Sequence, residues 1–505
     1  MKKYILTIIV GFSFASIYSQ GIADALRFSQ NNLNGTARFS AMGGAFGALG
    51  GDFSAININP AGGAIYANNQ VGVTLSNYTT RNQSNYFGTK TNESSNIFDP
   101  NQAGAVFVFY DANPKTDWKK FTLAINYANS NNFDNSLFSA GTNPNHSIAD
   151  YFLSYANANA DRGGILLGTL KNSYYENLNY EDQQAFLGYQ GYVINPVDAS
   201  NTNNSVYVSN VPSGGNYYQE NYYQSTGYNG KLNFNFATQY KDKFYFGMNL
   251  NSHFTDYRHT TSFYESNSNS TNSGLHSLRF DNDLHTFGSG FSFQLGAIAK
   301  VTKELRFGLV YESPTWYKLY DELKQGLSST GFNYNGNTNL SSTTVDSNIV
   351  MIYQPYTLHD PGKWTGSMAY VFGKRGLISV DYALKDYSST RFTPKNDFHN
   401  TNYNLSNALT TAGELRIGAE YRIKQWSIRG GYRNEQSPYK DTAIVGDLTG
   451  YSGGLGYSFG ATKVDLAYST SQRKSQQSFF SQGFTDGAAI NTKISAVSLT
   501  VLFEL

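Results

Sequence analysis

From about residue 70 to its end, the chain falls into segments in which apolar and polar side chains alternate. In residues 121–127 every second residue is Phe, Leu, Ile or Tyr, and in residues 497–503 every second residue is Val, Leu or Phe. A β-strand with this pattern has one apolar and one polar face, and about ten tilted residues cross the hydrocarbon core of a bilayer. The alternation therefore predicts strands that cross a membrane, with lipid on one side and a polar lumen on the other.

About fourteen such segments follow one another along the chain. They lie near residues 71–80, 104–110, 121–129, 227–240, 243–258, 285–299, 304–312, 363–372, 376–387, 413–423, 426–434, 450–459, 463–471 and 494–503. An even number lets a single-chain bacterial barrel begin and end on the same side of the membrane. We therefore expect an all-β fold, a transmembrane antiparallel β-barrel of about 14 strands that occupies residues 70–505.

The connections between these segments alternate in length. Short turns, as at 240–243 and 373–375, separate long stretches rich in Asn, Ser and Tyr, which are 130–226, 259–284, 313–362, 388–412, 435–449 and 472–493. Short periplasmic turns and long extracellular loops are typical of outer-membrane barrels, whereas the alternative, a soluble β-sandwich, gives no reason for the difference. In the 130–226 loop, Ser147 to Asp150 fits a capping box and predicts a helix. This helix either covers the barrel mouth or only packs within the loop.

Composition narrows the possible classes further. Charged residues make up only 14% and aromatic residues 16%, and there is no cysteine and hence no disulfide. The near-equal 37 basic and 36 acidic residues argue against a nucleic-acid partner, which needs a basic face. The N-terminus carries Lys2 and Lys3, then an apolar run to Ile17, which predicts a signal peptide over residues 1–19 that is cleaved near Ser19–Gln20. Beyond it, no run of about 18 apolar residues is present, which excludes helical membrane spans.

Residues 20–69 do not alternate and are dominated by small residues, in A-R-F-S-A-M-G-G-A-F-G-A at 37–48, Gly51-Asp52 and N-P-A-G at 59–62. Gly and Ala permit close backbone approach, so the segment is predicted to fold as a hatch, or plug, inside the barrel lumen. These motifs resemble the N-terminal hatch of the FadL/TodX (OmpP1) family of outer-membrane transporters for hydrocarbons and long-chain fatty acids. The final strands, from Pro361-Gly362-Lys363-Trp364 to Val464-Asp465-Leu466-Ala467-Tyr468, resemble that family in order and spacing. The Asn- and Tyr-rich, cysteine-free composition and the Tyr-Ser-Gln end of the signal suit Bacteroidetes. The hatch residues singled out are Arg38, Met42, Gly43, Gly44, Asp52, Asn59, Pro60 and Ala61.

The resemblance implies a hydrophobic groove, an internal pocket and a kink in the third strand that opens the wall sideways to the bilayer. Asn129, Asn131 and Asn132, where the third predicted strand ends, are the lateral-gate candidates, because runs of Asn are poor strand formers. The alternative is that these residues simply begin the loop. For a ligand carboxylate, the lumen cation candidates are Arg416, Arg429 and Arg433. Alternatively, these arginines pair with lumen acids, among them Glu414, Glu420 and Asp465.

The expected function is passive uptake of a hydrophobic small molecule, a long-chain fatty acid or hydrocarbon, by a monomer surrounded by outer-membrane lipid and lipopolysaccharide. No P-loop or nucleophile elbow is present, so we expect neither an enzyme nor a cofactor. No metal site is expected either. The sequence offers His253 and His259, with His276 and His285 not far away, as haem ligands, and the alternative is that they are scattered loop histidines. The rival functions are a barrel of the Bacteroidetes type IX secretion system, a haem-binding barrel and an adhesive barrel.

Overall fold

The fold is that of a computed structural model that describes residues 21–30, 32–113, 115–159, 162–270, 272–332, 340–346 and 348–505. The predicted signal peptide and its cleavage point lie outside the described residues and stay predictions. Over the described ranges, no helix combines the length and the apolar character needed to cross a membrane.

The elements follow one another from a helical N-terminal segment into a large antiparallel sheet. The strands are β1 Gln70–Tyr86, β2 Thr89–Tyr110, β3 Trp118–Asn132, β4 Asn135–Asn143, β5 Ile194–Pro196, β6 Tyr207–Ser209, β7 Tyr217–Tyr240, β8 Phe244–Ser266, β9 Gly274–Lys300, β10 Leu305–Glu312, β11 Thr315–Phe332, β12 Ser341–Asp346, β13 Met351–Ile352, β14 Tyr356–Asp360, β15 Lys363–Val371, β16 Gly376–Asp386, β17 Arg391–Thr393, β18 Thr411–Ile423, β19 Trp426–Glu435, β20 Leu448–Ser458, β21 Thr462–Ser478 and β22 Gly487–Glu504. The α-helices are α1 Ile22–Ser29, α2 Ala37–Ala41, α3 Phe53–Ile58, α4 Ala149–Ala156, α5 Leu167–Asn172, α6 Tyr180–Gln190 and α7 His399–Ala408, and 3-10 helices span Pro60–Ile65, Tyr175–Asn177 and Tyr387–Ser389.

The sheet closes on itself as an antiparallel barrel of 14 strands, which confirms the predicted fold class. Strand β1 closes it by pairing with β2 on one side and with the last strand, β22, on the other. Three of the fourteen wall strands are interrupted: β3 continues into β4, β10 into β11, and β12 to β14 into β15. The β5–β6 pair forms a separate small sheet in the 130–226 segment.

The two faces of the wall differ as the alternation predicts. In β8, Phe244, Phe246 and Met248 point outward and are 40–44% exposed, whereas the intervening Tyr245 and Asn249 are 3% and 0% exposed in the lumen. Outward Phe, Leu, Ile and Trp recur at the same level of the other strands and form a continuous apolar band. A lipid-facing surface of this kind needs no buried partner, since the bilayer supplies it.

The prediction of long loops at 259–284 and 472–493 is wrong for most of both ranges. Strands β8 and β9 continue as a ladder to Ser266 and Ser277, and β21 and β22 pair up to Ser478 and Gly487. The first two strands also extend to a tight turn at Phe87–Gly88. These extensions lie beyond the apolar band, where polar residues such as Asp256 and Arg258 face outward, so they lack the apolar alternation that marks a lipid-facing strand.

Between the wall strands β4 and β7, the 130–226 segment contains α4, α5 and α6, and this helical part packs on the lumen side of the strand extensions, against Phe263, Phe280 and Leu327. The helix predicted near residue 147 is confirmed, but the capping box is wrong, because the helix-capping position is Ile148 and no side chain caps it there. Instead, Glu265 of β8 accepts hydrogen bonds from the Ser147 hydroxyl and, at 2.8 Å, from the Ile148 amide. Burial raises the pKa of the Glu265 carboxyl to about 7.

Candidate functional site

The N-terminal helices lie inside the barrel and contact opposite walls. Helix α2 lies against β19 to β22, and the 3-10 helix Pro60–Ile65 lies against β7, β8 and β9. Short polar side chains cap these helices: Thr36 accepts from the Phe39 amide, Asp52 from the Ser54 amide and Asn59 from the Ala61 amide. The described part of the hatch thus consists of several short helices joined by turns, and its position inside the lumen agrees with the predicted plug.

Glycines bring the hatch backbone into direct contact with the β18–β20 wall. Gly43 and Gly44 have φ of +62° and +77°, a conformation that side chains disfavour. A Cβ at lumen-facing Gly431 would overlap the backbone of Met42 and Gly43, and one at Gly418 would overlap Met42. This part of the hatch is therefore seated on the wall without room for a methyl group between them.

A buried charge cluster fastens the same region. The Arg38 guanidinium donates to Glu420 at 2.8 Å, and the Glu420 side chain is only 1% exposed. Arg429 donates to Glu420 at 2.7 Å and to Asp465 at 2.6 Å. On the neighbouring strand β16, Asp381 accepts from the Phe46 amide at 2.9 Å. Charge-assisted bonds of this type are stronger than neutral ones.

The other hatch residues singled out are also buried at the wall. Asn59 donates to the Gly47 carbonyl at 2.6 Å, and the Pro60 carbonyl accepts from Asn235 of β7 at 3.0 Å. A Cβ at Gly247 would overlap Pro60 and the amide nitrogen of Ala61. Their part in transport stays a prediction.

The three lumen arginines are all ion-paired. Arg416 reaches Glu414 at 2.5 Å and Arg433 reaches the same carboxylate at 3.1 Å, while Arg429 pairs as described above. These are the acids named in the alternative interpretation. A role of these arginines toward a ligand carboxylate stays a prediction.

The lateral-gate candidates lie where the third wall strand is interrupted. Strand β3 has a bulge between Asn129 and Asn131 in its pairing with β7, and Phe133 and Asp134 separate it from β4. Its pairing with β2 ends at Ala128, opposite Gln102. Above this point only side-chain contacts are seen between the described residues of the two strands.

Strand β2 is irregular at the same level. Its pairing with β1 shifts at Asn101, next to Pro100, which has no amide hydrogen to donate. Asp99 accepts hydrogen bonds from the side chains of Asn129 and, at 2.9 Å, Asn132. Asp99 was not identified from the sequence, although the Asp-Pro pair within a strand is a recognisable signal of irregularity.

The hatch covers the interrupted stretch from inside. The Asn32 amide donates to the Ser130 carbonyl at 3.2 Å, and the Asn34 side chain donates to the Asn129 carbonyl at 2.9 Å. Asn32 also donates to the Asn131 side chain at 2.7 Å. Backbone groups that the strand break leaves unpaired are thereby satisfied by the hatch rather than by a neighbouring strand.

Two cavities meet at helix α1. The upper one, about 260 Å³, is lined by aromatic rings that include Tyr151, Phe263 and Phe480. The second, about 220 Å³, lies behind the interrupted strand and is lined by Asn131, Asn132 and Phe133. Arg27 of α1 lines both, pairs with Asp24 at 2.6 Å and stacks on the Tyr257 ring at 3.8 Å. Arg27 lies outside the small-residue motifs and is therefore not among the residues predicted from the sequence.

Two of the histidines considered as haem ligands have other contacts. His253 bonds to Ser292 at 2.8 Å, and His259 stacks on Tyr223. Across the part of the chain that the structure describes, no group of three or more His, Cys, Asp or Glu side chains is placed to hold a metal ion.

Comparisons with known proteins agree with this architecture. Residues 224–503 match the family described as outer membrane protein transport protein (OMPP1/FadL/TodX). Solved structures with a similar fold include a Pseudomonas aeruginosa FadL homologue (13% identity, TM-score 0.53), the P. putida toluene transporter TodX (14%, 0.52) and the Ralstonia pickettii toluene transporter TbuX (15%, 0.50). Each alignment covers 94% of this chain and 99% of the other, and at such identities the likeness shows the fold alone. No curated protein sequence matches the chain. Because the family match spans more than half of the 505 residues, the chain belongs to the OMPP1/FadL/TodX family of outer-membrane transport proteins.

Proposed function

We propose that this protein is a passive, monomeric conduit that carries hydrophobic small molecules, long-chain fatty acids or hydrocarbons, across the outer membrane and releases them sideways into the bilayer. The main support for this proposal is the interruption of the third wall strand in front of a lumen cavity. Membership of a transport family supports the general function. The two toluene transporters with a similar fold support the hydrophobic nature of the cargo.

The cavities support a route from the outside to the wall. A ligand enters among the aromatic rings of the upper cavity, passes Arg27 as α1 shifts, and reaches the cavity behind Asn131 and Asn132. An engineered cavity of about 150 Å³ already holds a benzene ring, so both cavities are large enough for one aromatic ring. Burial contributes about 0.8 kcal/mol per CH₂, and no energy source is required.

The gate lies between Asp99 of β2 and Asn129, Asn131 and Asn132 of β3. Neutral asparagine bonds from the hatch and the Asp99 bonds to Asn129 and Asn132 close it, and their loss opens the wall at the level where backbone pairing ends. The hatch therefore has two roles, a plug against free diffusion and a cover for the lateral exit.

A crosslink across the gap tests the exit. The side chains of Asp99 and Asn132 are in hydrogen-bond contact, and the chain has no native cysteine, so a D99C/N132C pair can be closed by a disulfide or a short bismaleimide. The matched control is F107C/L123C, an outward-facing pair on the same two strands where they are regularly paired. Uptake of radiolabelled hexadecanoate and toluene is measured in a strain that lacks the native gene.

We expect closure of the gap to lower the uptake of the transported probe at least about tenfold, reduction to restore it, and the control crosslink to change it little. Unchanged uptake through the closed D99C/N132C gap would rule out the lateral exit. If neither probe enters faster than in the empty deletion strain, transport of these compounds is rejected as a whole.

A further inference from the structure

Three basic side chains form a patch on the outer face of the barrel, where β21, β22 and β1 pair with one another. This basic patch consists of Arg81 of β1, Lys493 of β22 and Lys474 of β21, and all three are exposed. Arg81 and Lys493 are directly opposite each other in the ladder, and Lys474 pairs with Asn491, the next residue on the same face of β22. Directly opposite side chains have Cβ atoms only about 5 Å apart, so like charges there repel each other.

No acid of these three strands neutralises the basic patch. Strand β1 contains no Asp or Glu, and the single acids of β21 and β22, Asp465 and Glu504, lie near the other end of their strands. Asp441 and Asp447, in the loop beside β21, accept hydrogen bonds from backbone amides of their own loop. Among the residues that the structure describes, none of the three basic side chains makes a hydrogen bond or an ion pair within 4 Å.

The outward charges of β8, β9 and β11 are arranged differently. Arg258 of β8 lies 3.8 Å from Asp283 of β9, and Lys324 of β11 lies 3.9 Å from Asp346 of β12. These residues also lie on strand extensions beyond the apolar band, so exposure alone does not leave a cation without an acid. The wall thus supplies acids to its outward cations on this side and none on the side of the basic patch.

The basic patch lies a short distance beyond the apolar band, on the side of the long loops, which is extracellular in outer-membrane barrels. The last large apolar side chains below it are Leu75, Val497 and Tyr468, which are 37–50% exposed. Lys493 is four residues beyond Val497, which at about 3.3 Å per residue and a tilt of about 40° is roughly 10 Å along the membrane normal. The cations are therefore at the level where the headgroups of the outer leaflet begin.

We propose that the basic patch binds the phosphate groups of lipopolysaccharide, the phosphorylated glycolipid of the outer leaflet, and holds one such lipid against β21, β22 and β1. Arg and Lys bind phosphate through charge-assisted hydrogen bonds, and clusters of them bind anionic lipid headgroups. A phosphate between Arg81 and Lys493 removes their repulsion, and the acyl chains lie along Leu75, Val497 and Tyr468. This inference goes beyond the proposed function, because it concerns the lipid around the barrel and not the cargo.

The height of the basic patch favours a glycolipid over a phospholipid. The headgroup layer of a phospholipid leaflet is only about 5–8 Å thick, whereas the patch is roughly 10 Å beyond the last apolar side chain. A glycolipid carries its phosphates on sugar rings above the acyl chains, which places them at the height of Arg81 and Lys493.

Native mass spectrometry of the purified full-length barrel in detergent tests the assignment. The probes are lipid A with two phosphates, the same lipid A without phosphate, and phosphatidylglycerol. The variant is R81Q/K493Q, which removes the two opposed charges. The matched control is R258Q/K324Q, which also removes one outward Arg and one outward Lys, but from the side where each lies near an acid.

We expect the wild type to bind phosphorylated lipid A at least about tenfold more tightly than either other probe, R81Q/K493Q to lose this preference, and R258Q/K324Q to retain it. Equal binding of the two forms of lipid A, or an unchanged preference in R81Q/K493Q, overturns the assignment. Equal binding of phosphatidylglycerol also overturns it, because the surface would then accept any anionic lipid.

The unfolding midpoint of the lipid-free barrel is measured on the same samples. Because R81Q/K493Q removes a repulsion, we expect it to leave the midpoint unchanged or slightly raised, so that a loss of lipid binding is not a loss of folding. A lowered midpoint would contradict the argument that the two opposed charges lack a partner in the wall.

Discussion

Two parts of the barrel wall hold the hatch in different ways. Along β16 to β20 the pairing is continuous, and the hatch is seated on glycines and tied to Glu420 and Asp381 by charged bonds. Along β2 and β3 the pairing stops at Ala128, and the contacts to Asn32 and Asn34 are neutral amide hydrogen bonds. The hatch is held firmly along β16 to β20, whereas its contacts along β2 and β3 can be broken at a modest cost in free energy.

The difference assigns separate tasks to the two sides. Neutral hydrogen bonds contribute about 1 kcal/mol each, whereas breaking a buried ion pair costs about 3–5 kcal/mol. We therefore expect the contacts of Asn32 and Asn34 to break more readily than those of Arg38. In the proposed function, such a hatch uncovers the lateral exit without leaving the lumen.

The largest effect is expected on the fixed side, from E420Q. The substitution keeps the shape of the side chain but removes the charge shared by Arg38, Arg422 and Arg429, so we expect a loss of about 3–5 kcal/mol in the free energy of unfolding. Denaturant titration in detergent, followed by tryptophan fluorescence, measures it. E181Q, which weakens an exposed pair with Arg162, should cost less than about 1 kcal/mol. Similar losses of unfolding free energy in both variants would contradict the conclusion that buried ion pairs hold this side of the hatch.

A smaller effect is expected from G431V, which inserts a side chain between the wall and the Met42–Gly43 backbone. Overpacking of this kind costs about 1–3 kcal/mol and should make the hatch more accessible to protease. The adjacent G430V is a matched control, because a Cβ at Gly430 has no neighbour within 4 Å. Were G430V to expose the hatch as much as G431V, close seating on this wall would not be what holds it.

The smallest effect belongs to the loose side. N34A removes the 2.9 Å bond to the Asn129 carbonyl, so amide hydrogen exchange at residues 129–132 should accelerate about two- to tenfold with little change in global stability. N96A is the control, since Asn96 lies on β2 but bonds to Asn77 on the exposed face. Unaltered exchange in N34A would show that the hatch does not hold this stretch closed.

The sequence predicts those parts of the strands that meet lipid, because lipid contact requires an apolar side chain at every second residue. Segments such as 121–127 alternate because one face meets lipid, and each of the 14 wall strands contains one such segment. Residues 89–98 show no such alternation, although they pair with β1 in full register, because both of their faces lie beyond the apolar band. The pairing of residues 89–98 continues the register of the lipid-facing part of the same strands, and the local sequence pattern does not predict it.

The candidate site is predicted less completely from the sequence, because its contacts join residues on different strands. Small residues mark the hatch, and strand parity places Arg416, Arg429 and Arg433 in the lumen, but only the register between strands shows which acids they meet. Arg27 is not predicted because it lies outside the small-residue motifs, and its position between the two cavities is visible only in three dimensions.

The length of the wall strands determines where a molecule first meets the protein. Strand β9 has 27 residues, which at about 3.3 Å per residue and a tilt of about 40° amounts to roughly 70 Å along the membrane normal. The apolar band of such barrels needs only about 25 Å. Up to about 40 Å of wall built from strands therefore extends beyond the hydrocarbon core. In the proposed route, a hydrophobic molecule meets the protein far from the level of the lateral exit.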